Sequence, residues 1–439
     1  MNSRLRELEG RIQSREAEIV VIGLGYVGLP LALAFARAGF RVSGIDRDDD
    51  RVAQLNAGCS YVEDVPAEEL RAELEAGRFT ATSGFDDVSR GDCINICVPT
   101  PLRKTKDPDV AHIVAAVEEV RKRLRAGHLI VLGSTTYPGT THELYRPMLE
   151  SSGLRVGEDF CLAFAPERID PGNKAFPLKS VPKLVGGETE LCTRLATRMF
   201  EPLFDEIVPV SSSQAAEMVK LLENTFRMIN IGLANEIAMI CNRLGLDVWE
   251  VIDAAATKPY GFMKFLPGPG LGGHCIPVDP NYLAWKLRSL KFNARFIELA
   301  SDINSAMPGW VVQRALQILN RDRLAVNGSR ILLLGVAYKA GVSDARESPA
   351  VDILTGLEAL GARVEYHDAH VPELAIEGRG HKSVELTDKA LGAADLVIIT
   401  TDHPEVDYGR VAALAPRVLD TRNATAGVTS GSGSNVEKL

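Results

Sequence analysis

Short apolar runs that end in glycine or hydroxyl residues alternate with helical periodicities along this chain, and the pattern occurs twice. The first run, Glu18-Ile19-Val20-Val21-Ile22, passes at once into Gly23-Leu24-Gly25-Tyr26-Val27-Gly28. A helical pattern covers 31–38 and stops at Gly39, and a second run over 41–45 ends at Asp46. Further strands are predicted at 92–98, 129–132 and 160–165; they run into Pro99-Thr100-Pro101, Gly133-Ser134-Thr135-Thr136 and Pro166-Glu167-Arg168. Between 211 and 246, Met218, Leu221, Leu222, Phe226, Ile229, Leu233 and Ile237 recur mostly at three- and four-residue steps, which predicts one very long helix. A second helical stretch covers 293–319. Strand–helix alternation then restarts at 330–334 into Gly335, with a helix over 350–360 and strands at 363–366, 396–400 and 418–420. Apolar strands separated by helices imply parallel sheets covered on both faces. The expected fold is therefore α/β, with two Rossmann-like doubly wound domains (1–210 and 321–424) joined by a long central helix within a helical domain (211–320). Residues 425–439, rich in Gly, Ser and Thr, are expected to form a flexible tail.

Composition narrows the class without changing that picture. The chain has 439 residues, 46% of them hydrophobic and 24% charged, enough to bury full cores. Its net charge of −9 argues against nonspecific binding to nucleic acid or anionic membranes. No apolar run is long enough to predict a membrane-spanning helix, and the charged, helix-prone opening segment is unlike a signal peptide. The seven cysteines are scattered. Cys93 and Cys97 share a predicted strand with no histidine or cysteine nearby to complete a metal site, so they read as packing and no metal is expected. These features predict a reduced, cytoplasmic enzyme.

The chemistry starts at the Gly23 turn. A G-x-G-x-x-G sequence between a strand and a helix lets backbone approach a pyrophosphate lodged on the helix N-terminus. Asp46, closing the next strand, would accept hydrogen bonds from ribose hydroxyls and repel a 2′-phosphate, which favours NAD over NADP; Arg47 beside it is an opposing hint. Ligands of an open parallel sheet bind beyond the carboxyl ends of its strands, where Thr100, Thr135 and Glu167 lie. Lys220 and Asn224 share one face of the long helix, as a solvated pair would too. The loop FLPGPGLGGHCIPVDP sets Cys275 among glycines and ahead of Asp279-Pro280, a helix start whose end-charge favours thiolate. A buried structural cysteine is the alternative. The Gly335 turn lacks a second glycine, so the third region is not expected to hold a dinucleotide as the first does; a nucleotide bearing a sugar fits.

A nicotinamide cofactor alone oxidises an alcohol to an aldehyde; a cysteine matters when oxidation continues through a thioester. At this point GLGYVGLPLA, Thr100-Pro101, Ser134-Thr135, Pro166-Glu167-Arg168, AAEMVKLLEN, GGHCIPVDP and GVAYKAGVSDARESPA together closely resemble the UDP-sugar 6-dehydrogenases. The resemblance implies that Cys275 is the nucleophile and that Lys220, Asn224 and Asp279 handle the proton and the alkoxide. It makes Glu167 the base for thioester hydrolysis, and has Thr135 order a water or meet the nicotinamide. Gly23, Gly25, Tyr26, Val27, Gly28, Asp46, Arg51, Thr100, Thr135 and Arg346 would contact NAD. Glu167, Arg168, Lys220, Asn224, Tyr260, Phe265, Gly272 and Lys339 would contact the nucleotide sugar. It also implies a homodimer or higher oligomer, and a place in polysaccharide biosynthesis. Pro171 and Val278 depart from the UDP-glucose pattern, and His274-Cys275-Ile276-Pro277 resembles the N-acetylhexosamine branch, UDP-N-acetylglucosamine 6-dehydrogenases first. The mannosamine and galactosamine epimers, and UDP-glucose, stay open as alternatives. A one-step alcohol dehydrogenase would need no Cys275, and a non-catalytic sugar-nucleotide binder would be expected to lack one of Cys275, Lys220, Asp279 and Glu167.

Overall fold

The computed structural model describes residues 3–62, 64–101, 108–168, 176–273, 276–376, 378–428 and 435–439. It divides into two compact units, Met1–Glu223 with Asn281–Lys291, and Asn224–Pro280 with Phe292–Leu439. The boundary falls inside the central helix, Ser213–Leu244. Among the described residues no helix is long and apolar enough to cross a membrane.

The first unit is built on eight strands: β1 (Glu18–Ile22), β2 (Arg41–Ile45), β3 (Phe79–Thr82), β4 (Cys93–Ile96), β5 (Leu129–Leu132), β6 (Cys161–Phe164), β7 (Lys183–Gly187) and β8 (Ile207–Val210). They lie in the order β3-β2-β1-β4-β5-β6-β7-β8. Every pair is parallel except β6 with β7, so the chain winds outward both ways from β1 and β4, leaving a crevice at their carboxyl ends. β4, β5 and β6 are buried at every position, which is why they read as unbroken apolar runs. β3, β7 and β8 carry no such signal: β7 ends in two glycines, and β8 is a half-exposed edge containing Pro209. The helix Gly28–Arg37 starts on the third glycine of the turn and buries an Ala/Leu/Phe face. The N-terminal helix Ser3–Ser14 buries Leu5, Leu8 and Ile12, while its Arg11 joins Arg125 on the buried carboxylate of Asp92 at 2.8 and 3.0 Å.

The second unit holds a five-stranded parallel sheet from β9 (Arg330–Leu334), β10 (Arg363–His367), β13 (Leu396–Ile399), β14 (Val418–Asp420) and β15 (Val436–Lys438), ordered β10-β9-β13-β14-β15. A short antiparallel hairpin, β11 (Glu373–Ile376) with β12 (Arg379–Lys382), stands apart. The helices Pro349–Ala359 and Arg295–Arg321 pack into its core through Ile353, Leu354, Leu357, Met307, Val311 and Ala315. The flexible tail expected at 425–439 needs a correction at its end. Residues 436–438 pair with β14, Leu439 is buried, and Glu437 receives Arg314 at 3.1 Å and Arg321. Pairing with the exposed edge of β14 orders a segment that has no pattern of its own.

Candidate active site

In the first unit the Gly23 turn has the geometry a dinucleotide requires. Gly23 sits at φ +92°, and a Cβ there would lie 2.7 Å from the Cys97 carbonyl oxygen; at Gly28 it would strike the Gly23 carbonyl oxygen. Both glycines are therefore demanded by strand–helix packing. Gly25 differs, because a Cβ there would meet nothing within 4 Å. That opening lets a ligand come against the backbone, and Tyr26 and Val27 border it, Tyr26 half exposed. Asp46 accepts from Leu24 N–H at 2.9 Å and from Asp48 N–H at 3.1 Å, so its carboxylate is held at the turn with acceptor capacity left for ribose hydroxyls. Arg51 lies over the Tyr61 ring (5.3 Å), and Tyr61 donates its hydroxyl to the Leu24 carbonyl at 2.6 Å. Burial first, then the charge of Asp46, pushes the Tyr61 hydroxyl up to about 12. Tyr61, absent from the sequence reading, thus roofs the turn. These residues fit NAD.

Beyond the ends of β4, β5 and β6 stand Thr100, Thr135 and Glu167. The Thr100 carbonyl accepts from Tyr282 Oη at 3.0 Å, and Ser134 Oγ donates to the Val98 carbonyl at 2.7 Å, which tie the strand-end loops to one another and to the helix Asp279–Ser289. Thr135 is half buried between them. Glu167 is paired with Lys183 at 3.3 Å, and Lys183 also donates to the Pro166 carbonyl at 2.9 Å. The ammonium group lies 5.2 and 5.5 Å from the rings of Phe200 and Phe204. A water-sized cavity lined by Cys97, Gly133, Glu167, Lys183 and Phe200 opens beside the pair. Lys183 carries no sequence signal, because it opens β7 with no motif around it. Arg168 pairs with Glu223 at 2.6 Å and donates to the Pro182 carbonyl, so its guanidinium is already engaged. Lys220 is nearly buried on the central helix.

In the second unit Asn224 and Asp279 come together, 55 residues apart in sequence: the amide of Asn224 donates to Asp279 Oδ2, and both are buried. Cys275 lies outside the described residues, but the glycines ahead of it do not. A Cβ on Gly273 would lie 2.7 Å from the Tyr338 ring, and one on Gly272 2.7 Å from Tyr338 Cβ. Tyr338 is thus a floor under Gly272 and Gly273, and Gly273 N–H donates to the Arg346 carbonyl at 3.3 Å. The guanidinium of Arg346 is held by Asp344 at 2.6 Å. Lys339, next to Tyr338, is half buried. Tyr260 is exposed beside Lys258, and Phe265 packs edge-on against Phe226. Arg422, a residue the sequence reading passed over, lies over Gly268, and its Nε donates to the Thr400 carbonyl at 2.9 Å.

The Gly335 turn shows why it should not cradle a pyrophosphate as the Gly23 turn does. Its amides at Val336 and Ala337 donate to Asp368 Oδ2 at 2.7 and 2.9 Å, while His370 and Val371 N–H donate to Oδ1. His403 Nε2 closes the network at 3.1 Å, and its Nδ1 accepts from Gly341 N–H. Burial pushes the Asp368 carboxyl up, yet His403 and the amides outweigh it and hold it well below the usual carboxylate range. His370, His403 and Glu405 cluster closely enough to suggest a metal, but both ring nitrogens of His403 are already committed.

Three family models match successive parts of the chain: the NAD-binding domain of the UDP-glucose/GDP-mannose dehydrogenase family over residues 17–204, its central domain over 214–306 and its UDP-binding domain over 332–427. The chain is 36% identical over 399 residues to a UDP-N-acetyl-D-glucosamine 6-dehydrogenase of Pseudomonas aeruginosa, covering 89% of this chain and 92% of that protein. It is 35% identical over 389 residues to a UDP-N-acetyl-D-mannosamine dehydrogenase of Pyrococcus horikoshii, covering 88% and 90%. A solved structure of the Pyrococcus horikoshii UDP-D-ManNAc dehydrogenase superposes with a TM-score of 0.87 at 32% identity, over 96% of this chain and 99% of that one. With an open glycine turn, an acid poised at the second strand and matches along nearly its whole length, this chain belongs to the UDP-glucose/GDP-mannose dehydrogenase family and carries that family's NAD-binding domain.

Proposed function

We propose that the protein oxidises the C6 hydroxyl of a UDP-N-acetylhexosamine to the carboxylate in two NAD-dependent steps, with UDP-N-acetylglucosamine as its substrate. The buried Asn224–Asp279 pair, with Lys220 one turn earlier on the same helix, carries this reading. It supplies a proton acceptor and a cation at low dielectric, as an alcohol losing a hydride requires. NAD, when bound, supplies the hydride acceptor, one equivalent per step. Asp279 takes the hydroxyl proton through a water, and Lys220 stabilises the developing alkoxide. The Cys275 thiolate then adds to the aldehyde carbon, and the thiohemiacetal alkoxide so formed, again stabilised by Lys220, gives up the second hydride to leave a thioester. Glu167, held by Lys183, draws a proton from the water that attacks the thioester; the C–S bond breaks and the uronate leaves with the thiol restored.

The choice of glucosamine follows the His274-Cys275-Ile276-Pro277 sequence and the substrate named for the Pseudomonas relative. UDP-N-acetylmannosamine is the second reading, favoured by the Pyrococcus relative. A homodimer in the cytoplasm completes the proposal: Phe226, Leu233 and Ile240 recur every seven residues along the central helix and are 44–54% exposed, an apolar stripe suited to a second copy. The test is purified protein with NAD⁺ and a panel of UDP-glucose and the three UDP-N-acetylhexosamines, read by NADH and product mass. Two NADH per uronate are expected. One NADH per sugar, or undiminished uronate from Cys275→Ser, overturns the thioester route.

A further inference from the structure

We propose that Glu217 is a positioning residue, which locks the loop bearing Thr135 onto the helix bearing Lys220. The inference rests on the dehydrogenase reading, in which both residues face the reaction. Glu217 is fully buried in the first unit, where a bare carboxyl is costly and an apolar side chain would fill the space as well. Its partners all come from the segment after β5. Oε1 accepts from Thr141 N–H at 2.9 Å, Thr141 Oγ1 at 2.6 Å and Thr136 Oγ1 at 3.4 Å; Oε2 accepts from Gly139 N–H at 2.6 Å.

Those contacts fix the loop close to Thr135, and its other side is fixed separately. The Tyr137 ring packs on Trp285 at 5.0 Å, Lys286 lies 5.4 Å over the same ring, and Lys286 pairs with Glu143 at 2.5 Å. Gly139, at φ +97°, makes the bend that aims two amides at one carboxylate. Of these anchors Glu217 belongs to the Lys220 helix, whereas Trp285 and Lys286 belong to the helix Asp279–Ser289.

The lock has an ionisation state. Burial first, with the charge of Glu188 adding to it, pushes the Glu217 carboxyl up to about 7, against the pull of the Thr141 and Gly139 donors. Tyr137 and Tyr145 face it from the loop and the following helix. Glu188 faces it from the turn after β7, itself engaged by His142 at 2.7 Å and Arg146 at 3.4 Å. Only the carboxylate can accept from every donor at once; a proton on it requires a hydroxyl to turn or an amide to let go.

Glu217→Gln tests this, because an amide nitrogen in place of either oxygen meets a backbone N–H head on. With NAD⁺ and the accepted UDP-N-acetylhexosamine, kcat is expected to fall about 10- to 100-fold while both KM values stay within about threefold. The acid limb near pH 7 in the kcat profile should disappear, and faster hydrogen exchange should be confined to 133–145. Thr141→Val, which deletes one donor and spares the carboxylate, should lower kcat roughly three- to tenfold, with the acid limb kept but moved to higher pH because a donor that holds the carboxyl down is gone. A kcat within twofold of wild type, an unmoved acid limb, or exchange accelerated throughout the chain overturns the proposal. If wild-type protein reduces no NAD⁺ with any nucleotide sugar, the dehydrogenase reading is what has failed; the exchange pattern still decides whether Glu217 holds the loop.

Discussion

Replacing Asp368 by asparagine should loosen the Gly335 turn by an amount the structure lets one work out. The side chain is isosteric and nearly inaccessible, so cavity effects drop out. Each carboxylate oxygen accepts two backbone N–H groups, Val336 and Ala337 on one and His370 and Val371 on the other. Whichever way the amide turns, its nitrogen faces two buried donors. Hydrogen bonds to a charged acceptor contribute about 1.5–3 kcal/mol each, so losing two costs roughly 3–6 kcal/mol, a large share of a domain's ~5–15 kcal/mol. The sign with pH is fixed as well. The native carboxyl titrates below its ordinary value, so its contribution is complete above the unfolded pKa of about 3.9 and is lost as pH falls toward the native value. The gap between wild type and Asp368→Asn should be flat over roughly pH 6–8 and narrow below about pH 4. Hydrogen exchange at the Val336 and Ala337 amides reads the local change, and denaturant unfolding followed by tryptophan fluorescence reads the global one. Because Tyr338 floors Gly272 and Gly273, sugar turnover should fall with it. A variant within ~1 kcal/mol of wild type, or a gap that does not close in acid, would refute the reasoning.

Other substitutions separate packing from function. Gly25→Ala should fold normally and raise the KM for NAD⁺ at least tenfold, whereas Gly28→Ala should lower Tm sharply, since only the second Cβ collides with the chain; thermal melts beside NAD⁺ titrations check both. Lys183→Met should cost about 3–5 kcal/mol by removing the buried ammonium that pairs with Glu167. Stopped-flow traces should then show a rapid NADH burst followed by slow turnover, as hydrolysis becomes limiting; no burst would remove Glu167 from that step. Leu233→Asp should convert the proposed dimer to monomer in sedimentation, and an unchanged mass would place any interface elsewhere.

What could be read along the chain was local. The G-x-G-x-x-G turn, the buried strands β1, β4, β5, β6, β9 and β13, and the central helix announce themselves because glycine conformations and apolar periodicity need only neighbouring residues. Asp46 was legible for the same reason, standing at the end of a strand whose turn was already known. What tertiary structure decided was partnership. Glu217 means nothing until Gly139 and Thr141 are folded against it, nor Lys183 until it meets Glu167, nor Asp368 until His403 arrives from the loop after β13. The antiparallel step between β6 and β7, and the strand made by the chain's last residues, likewise depend on an edge waiting to be paired. A buried charge is stable only beside a complement that sequence distance hides, so the supports of the site, unlike its motifs, become visible only once the chain has folded.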